Sequence, residues 1–197
     1  IQQGNPLEFI KILANLFRRS AAEKHLNLRV DCENNDEIVW FSPSYLERIM
    51  NNLLSNAIKF TPENGEVKVK ASIITGQEDN YTYLDVKVAD TGIGIAQEEQ
   101  KKIFQKFYQT KQGYNTNNKG WGIGLSLVQR LVTIHKGTIE LKSELQHGST
   151  FRILLNVDAK AFDRQSLITD DKVIVPLTDY HFSPSMTDIN NASKDIV

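Results

Sequence analysis

Three polar side chains share one face of a predicted helix. Within Asn51–Phe60 (NNLLSNAIKF), Asn52, Asn56 and Lys59 follow the i, i+4, i+7 spacing of residues that neighbour one another on a helix. They flank an apolar stripe formed by Leu46, Ile49, Met50, Leu53, Ala57 and Phe60. Carboxamide oxygens can ligate a hard cation, and an ammonium can contact phosphate oxygens. Taken alone, the pattern also fits a helix flank that is solvated or capping, so both interpretations stay open.

A second candidate is the segment Asp90-Thr91-Gly92-Ile93-Gly94, which lies between a predicted strand and a predicted helix. A dinucleotide-binding loop would occupy the same place, but residue 97 is Gln where that fingerprint needs a third glycine. The preceding strand alternates, whereas a buried parallel strand is continuously apolar. A GxxxxGK[ST] phosphate loop is also missing from the sequence. The Asp90 carboxylate, beside glycines that admit a flat ring, can instead accept a hydrogen bond from an exocyclic amine such as that of adenine. A plain Asp-Thr-Gly turn is the alternative.

The third candidate is Gly120–Gly124 (GWGIG), directly before the apolar-periodic run Leu125–Val132. Glycines at the start of a helix let backbone N–H groups approach an anion, and the helix dipole adds to the attraction. A glycine-rich flexible joint explains the same residues.

In combination and in this order, the motifs resemble the GHKL ATPase superfamily and, within it, the catalytic ATP-binding domain of bacterial sensor histidine kinases. The matching stretches are NNLLSNAIKFTPENGEV, DTGIGI, IFQKFYQ, GWGIGLSLV and GSTF at 148–151. The resemblance covers roughly Pro6–Val157. It implies a Bergerat-type fold, ATP and Mg²⁺ as cofactors, and transfer of the γ-phosphoryl group to a histidine.

The resemblance also implies a role for each matching residue. Asn56 corresponds to the Mg²⁺ ligand, Asn52 to a supporting polar residue, Lys59 to a phosphate contact and Asp90 to the acceptor of the adenine amine. The first three form the predicted catalytic set. The residues expected to shape the base pocket, the lid over it and the phosphate site are Gly92, Gly94, Ile95, Phe104, Phe107, Tyr108, Gly120, Gly122, Ile123, Gly124, Leu125 and Thr150. Phe104 and Phe107 equally fit ordinary core aromatics.

Asn52 determines the expected reaction. ATP-hydrolysing relatives such as DNA gyrase and mismatch-repair proteins have a glutamate general base one turn before the metal-binding Asn. A carboxamide cannot accept a proton from water, so the site should hold ATP with little hydrolysis. The family's nucleophile is a histidine on a separate phosphoacceptor/dimerisation domain, with a response regulator or receiver domain downstream. No histidine of this chain lies in a Ser-His-Glu-Leu-Arg-type context, so we expect this chain alone to bind nucleotide and phosphorylate nothing.

Two departures from the family pattern keep other functions open. Trp121 stands where the family has a small residue or threonine, and could pack over the nucleotide or close the empty pocket. No arginine follows the Phe-x-x-Phe pair, which leaves Lys106, Lys111 or Lys119 as further phosphate contacts. The alternatives are a degenerate nucleotide-binding or sensing module and a GHKL-type protein serine kinase.

The composition is that of an ordinary soluble domain, with 40% hydrophobic and 24% charged residues. A net charge of −1 gives no reason to expect nucleic acid or a membrane surface as a partner. One cysteine excludes an internal disulfide and fits a reducing compartment such as the cytoplasm. The chain starts with Ile and lacks an apolar run of ~20 residues. The first residue predicts a fragment of a longer chain. The resemblance implies that this fragment is monomeric and belongs to the cytoplasmic part of a membrane-bound sensor.

Hydrophobic periodicity predicts helices at 7–24, 43–60, 97–107 and 120–135, and strands at 26–30, 38–41, 66–74, 81–89, 138–143 and 149–155. This order predicts an α/β (α+β) two-layer sandwich: a mixed, largely antiparallel sheet with three main helices on one face. We expect an ATP-binding domain at 1–158, with 1–25 as a lead-in helix, and a C-terminal extension or linker at 159–197. Residues 109–119 are expected to form a mobile loop.

Overall fold

A five-stranded sheet organises the chain in its computed structural model, which describes residues 1–33, 36–110, 121–163 and 167. The strands are β1 (Gln2–Gly4), β2 (Asn27–Cys32), β3 (Val39–Phe41), β4 (Glu66–Thr75), β5 (Thr82–Asp90), β6 (Thr138–Glu144) and β7 (Gly148–Asn156). The main sheet has the order β2-β4-β5-β7-β6, in which β2 and β4 are parallel and the other pairs antiparallel. The mixed, largely antiparallel sheet is thereby confirmed. β1 and β3 form a separate antiparallel pair that the sequence analysis did not predict.

The described helices are α1 (Pro6–Leu16), α2 (Arg18–Glu23), α3 (Pro43–Phe60), α4 (Gln97–Gln100) and α5 (Gly124–Ile134). Side chains cap the first turns of α1 and α3. The Asn5 side chain accepts hydrogen bonds from the first turn of α1, and the Ser42 hydroxyl accepts one from the first turn of α3. Proline follows each cap, where its missing N–H costs nothing.

Three helices, α1, α3 and α5, pack on one face of the sheet and form the predicted two layers. Their apolar stripes meet the inward-facing residues of β4, β5 and β7 in one core. The residues that are fully buried there include Leu7, Phe9, Ile10, Leu13, Leu46, Ile49, Met50, Leu84 and Ile153. The lead-in segment therefore contributes to the core. It is also two helices rather than one, because the chain turns at Phe17.

The opposite face of the sheet is polar. Asp85 of β5 is buried there and receives two hydrogen bonds from the Arg152 guanidinium, each 3.0 Å long. Arg152 and Leu154 alternate along β7 with the buried Phe151, Ile153 and Leu155.

The predicted helix at 97–107 is wrong in length, because α4 ends at Gln100 and turns follow it. Phe107 has a φ of 64°, which no α-helix can contain. Its N–H donates to the carbonyl of Gly122 at 2.8 Å, so this backbone bonds to a distant segment rather than to its own preceding turn. Most of the predicted mobile loop, 111–119, lies outside the described residues, as does most of the extension from 164 onward.

A buried histidine joins α5 to the end of the sheet. His135 Nε2 accepts from the Ser42 N–H at 3.2 Å, and its Nδ1 lies 3.1 Å from the Asn156 carbonyl. A donor on one side and an acceptor on the other require the neutral ring with its proton on Nδ1. Burial lowers the pKa of this imidazole below its ordinary value. The Phe162 ring packs edge-on against it with a centroid distance of 5.5 Å, so the chain just after residue 158 is packed on the domain.

No helix within the described ranges combines the length and the apolar character needed to cross a membrane.

Candidate functional site

Asp90 ends β5 on the side of the sheet that faces the helices. Its Oδ1 accepts from the N–H of Gly92 at 2.8 Å and from the N–H of Ser149 at 3.3 Å. Burial raises the pKa of the carboxyl, and the two hydrogen bonds partly offset that effect. Oδ2 has no hydrogen-bond partner among the described residues. Every fully buried side-chain polar atom in these residues does have a partner, so Oδ2 must be accessible at the surface. The carboxylate is therefore held by one oxygen and presents the other.

The loop after Asp90 is fixed at several points of its backbone. The Ile93 N–H donates to the carbonyl of Phe60, the last residue of α3, at 3.2 Å. The Ile95 N–H donates to the Ser143 hydroxyl at 2.8 Å. Gly94 has a φ of +66°, and a Cβ there would lie 1.9 Å from the Glu144 carbonyl oxygen. Only glycine fits this close approach, so the loop joins β6 and α3 into one wall of the site.

The predicted polar face of α3 is present and partly accessible, with Asn52, Asn56 and Lys59 each half-buried. The Asn56 carboxamide makes no hydrogen bond within the described part of the chain, so its oxygen is available to a ligand. The Lys59 ammonium lies 4.9 Å from the centre of the Phe60 ring, and burial lowers its pKa. The Lys59 ammonium can contact an anion, and the Asn56 carboxamide oxygen, one turn away, can contact a cation bound to that anion.

Asn52 brings α3 and α5 together. Its Nδ2 donates to the Arg48 carbonyl at 2.7 Å, which leaves Oδ1 directed at α5. A Cβ on Gly124, the first residue of α5, would come within 2.4 Å of that oxygen. Within the described residues no side chain caps α5, and the positive end of its dipole lies beside Asn52 of α3. Glycine at 124 is needed here to admit the Asn52 side chain.

The residues on either side of the undescribed 111–120 segment approach each other through their backbones. Besides the bond from Phe107 to Gly122, a Cβ on Gly122 would lie 2.7 Å from the Tyr108 carbonyl oxygen. On one side of the segment, the Tyr108 hydroxyl also donates to the buried Glu99 at 3.2 Å. The Phe107 ring is 70% exposed and Trp121 is 78% exposed, so neither side chain closes a pocket within the described structure. Phe104, by contrast, is partly buried against the core, as expected if it is an ordinary core aromatic.

The other predicted lid residues lie close to the start of α5 or outside the described residues. Ile123 is the residue before α5 and is 38% exposed, while Leu125 packs partly against the core. Gly120 and two of the candidate phosphate-binding lysines, Lys111 and Lys119, lie outside the described residues. The third, Lys106, is exposed.

Thr150 is not brought into the site. It pairs with Ala89 of β5 and alternates with the buried Phe151, so it lies with Arg152 on the polar face of the sheet. Ser149, which the sequence analysis missed, pairs with Asp90 and donates to it. The alternation of side chains along β7 could have placed Ser149 beside Asp90, because Phe151 must face the core and Ser149 lies on the same side of the strand.

The arrangement matches known proteins. The family described as histidine kinase-, DNA gyrase B- and HSP90-like ATPase matches residues 41–159. The chain belongs to this family. Its membership implies that the domain binds ATP.

The relatives within this ATPase family are histidine kinases. Histidine kinase P4 of Formosa agariphila is 32% identical over 181 residues, which are 90% of this chain and 13% of that protein. Sensor histidine kinase RppB of Synechocystis sp. is 31% identical over 150 residues, which are 76% of this chain and 32% of that protein. The chain thus spans less than a third of the length of these relatives.

Solved structures show the same fold. The catalytic domain of histidine kinase ThkA superposes with a TM-score of 0.65 at 25% identity, over 81% of this chain and 97% of that one. Full-length ShkA in complex with AMPPNP gives 0.66 at 29% identity, over 79% of this chain and 31% of that one. This chain is a catalytic domain of the histidine kinase type, and the predicted fold is confirmed.

Proposed function

We propose that the domain binds ATP together with Mg²⁺ and transfers the γ-phosphoryl group to a histidine on a separate phosphoacceptor domain. The observation that carries the proposal is Asp90, whose Oδ1 is fixed by two backbone N–H groups while Oδ2 is free. That oxygen accepts a hydrogen bond from the adenine amine. Guanine presents a carbonyl oxygen at the equivalent position, and two facing acceptors repel, so the same carboxylate selects against GTP.

The phosphate side of the site is supplied by α3 and the start of α5. Asn56 offers a carboxamide oxygen, an appropriate ligand for Mg²⁺. An ion held there would supply positive charge to neutralise the phosphates. Lys59 and the uncapped N–H groups of α5 add positive potential from the protein itself. These roles fit the accessible carboxamide of Asn56 and the partial burial of Lys59.

Asn52 makes the domain a phosphotransferase rather than a hydrolase. Its carboxamide is not basic, and its Nδ2 is already bonded to the helix backbone, so it does not deprotonate a water molecule. The γ-phosphoryl group is transferred when an imidazole nitrogen attacks phosphorus, the bond to the bridging oxygen breaks and ADP leaves. Positioning and charge neutralisation account for the acceleration.

This role leads us to propose the bounds of the domain, its partners and its location. The domain comprises residues 1–158, with 1–25 leading in and 159–197 serving as an extension or linker. Its partners are a phosphoacceptor/dimerisation domain of the same protein and a response regulator or receiver domain. We place the domain in the cytoplasm, where ATP is available, as a monomer in isolation.

Calorimetric titration tests the ligand. We expect ATP to bind, Mg²⁺ to strengthen binding, GTP to bind weakly and Asp90→Asn to abolish the preference for ATP. The reaction is tested by adding the separately produced phosphoacceptor domain of the parent protein, which should yield an acid-labile phosphoprotein. An acid-stable product would indicate a serine kinase, and absence of nucleotide binding would indicate a degenerate module.

A further inference from the structure

The last turn of α3 carries Asn56 and Lys59, and its end is held by other parts of the chain. The final four carbonyls of an α-helix have no partner within the helix. Here the Ala57 carbonyl accepts from the Thr61 N–H and hydroxyl, and the Phe60 carbonyl accepts from the N–H of Ile93 in the loop after Asp90. The remaining two carbonyls, those of Ile58 and Lys59, need donors from elsewhere.

The sequence itself removes the local donor. The natural partner of the Ile58 carbonyl would be the N–H of residue 62, but that residue is proline and has none. Thr61 is already extended, with φ −85° and ψ 128°, so the chain leaves the helix before residue 63 could reach Lys59. The Thr61-Pro62 stop therefore leaves two backbone acceptors exposed at the edge of the proposed phosphate site.

Lys24 supplies both missing hydrogen bonds. Its ammonium donates to the Ile58 and Lys59 carbonyls at 2.8 Å each, across 34 and 35 positions of sequence. The backbone of Lys24 is itself fixed, since it caps α2 and His25 follows in the left-handed region with a φ of 54°. A cation at the C-terminal end of a helix also meets the negative end of its dipole. One half-buried ammonium thus joins α2 to the last turn of α3.

We infer that Lys24 is a positioning residue for nucleotide binding, which holds the last turn of α3 so that Asn56 and Lys59 meet the metal and phosphates. The inference rests on the proposed function of this site. Without the two hydrogen bonds, the carbonyls of Ile58 and Lys59 must turn toward water, and the turn that carries both side chains loosens. The Asp90 carboxylate is held by the N–H groups of Gly92 and of Ser149 in β7, and Lys24 donates to neither of these residues.

The test compares Lys24→Met, which keeps length but has no donor, with Lys24→Arg, which keeps the donors. Lys142→Met is the matched control, because Lys142 is exposed on the polar face of β6. Calorimetry well below the melting temperature measures MgATP and adenosine, which lacks phosphates. We expect Lys24→Met to weaken MgATP binding about tenfold, as the loss of charged hydrogen bonds implies, and to change adenosine binding less than about twofold. Lys24→Arg should recover most of the loss.

A measurement without nucleotide reports on the restraint directly. In Lys24→Met the Thr61 and Ile93 amides should exchange with deuterium faster, while amides within β5 and β7 keep their protection. Unchanged MgATP affinity, equal losses for MgATP and adenosine, or unchanged exchange at Thr61 and Ile93 would each overturn the inference. If the unsubstituted domain does not bind MgATP, the proposed function fails and this inference fails with it. Binding by the unsubstituted domain and equally by Lys24→Met overturns the inference alone.

Discussion

Replacing Asp90 by Asn should separate ligand recognition from stability at one position. Asn keeps an Oδ1 that can accept from the Gly92 and Ser149 N–H groups, so the local fold is retained. It replaces the accessible Oδ2 with an amide that donates toward the donating amine of adenine. A lost hydrogen bond to a charged group together with two opposed donors costs about 2–4 kcal/mol. At about 1.4 kcal/mol for each tenfold change, the dissociation constant for ATP rises about 30- to 700-fold.

The same substitution should stabilise the empty domain. Burial raises the folded-state pKa of Asp90 above its unfolded value, which means that the ionised carboxylate is disfavoured in the folded protein. The favourable contribution of such a group is complete below the unfolded pKa and is lost as the pH rises through the folded pKa. At neutral pH the neutral Asn avoids this loss. We expect Asp90→Asn to raise the free energy of unfolding by about 0.5–2 kcal/mol at neutral pH. This gain should become smaller as the pH is lowered.

Calorimetry with ATP and urea unfolding between pH 4 and 8 measure the two effects on the same samples. Asp31→Asn is the matched control, because Asp31 is exposed on β2 and should change neither quantity by much. An Asp90→Asn domain that binds ATP as tightly as the unsubstituted one would refute the assignment of the adenine contact. An Asn variant that is less stable at every pH would refute the account of the buried carboxylate.

Three further substitutions test the supporting structure. Gly94→Ala should cost about 2–5 kcal/mol of unfolding free energy, because a Cβ in a left-handed conformation meets the Glu144 carbonyl; urea unfolding measures it. Gly124→Ala should weaken ATP binding and lower stability by about 1 kcal/mol, and Asn52→Ala in the same chain should restore part of that stability in a double-mutant cycle. His135→Gln should lower the unfolding free energy by about 1–3 kcal/mol at pH 8 and flatten its acid dependence.

The sign of the His135 effect follows from its lowered pKa. The folded ring stays neutral while the unfolded ring takes up a proton, so stability falls as the pH drops below the ordinary imidazole pKa of 6.5 toward the lower pKa of the folded ring. Urea midpoints at pH 8, 7, 6 and 5 would show this slope in the unsubstituted domain. A Gln variant with the same slope would contradict the assignment, as would additive energies for the Gly124 and Asn52 pair. For Gly94, wild-type stability in the Ala variant would show that the loop can move away from β6.

The sequence predicted long periodic elements well because their packing agrees with their local pattern. The helix at 43–60 has a cap, a proline and an apolar stripe that all indicate the same bounds, and the structure gives α3 those bounds. The 66–74 and 81–89 strands alternate cleanly and were each found within one residue at either end. The short strands β1 and β3 were harder, since three residues contain too little periodicity to indicate a pairing.

The errors in the site arose where distant contacts decide the backbone. The i, i+3 spacing of Phe104 and Phe107 looks helical, but the bond from Phe107 to Gly122 imposes a positive φ that no local pattern indicates. Thr150 was named from the resemblance of the GSTF stretch and Ser149 was not considered, and a shift of one residue along a strand reverses the face. No local sequence pattern identifies Lys24, because the role inferred for it depends on a proline 38 positions away.

The pairing of Asp90 with Ser149 has a consequence for how long the folded domain survives. These partners are 59 positions apart, so the hydrogen bond from Ser149 to the Asp90 carboxylate cannot form until β7 has been synthesised and has paired with β5. ATP that binds only the completed sheet shifts the folding equilibrium by mass action, by about 2.7 kcal/mol at a hundred times its dissociation constant. On the proposed function, the concentration of ATP therefore contributes to the folding stability of the domain as well as to its chemistry.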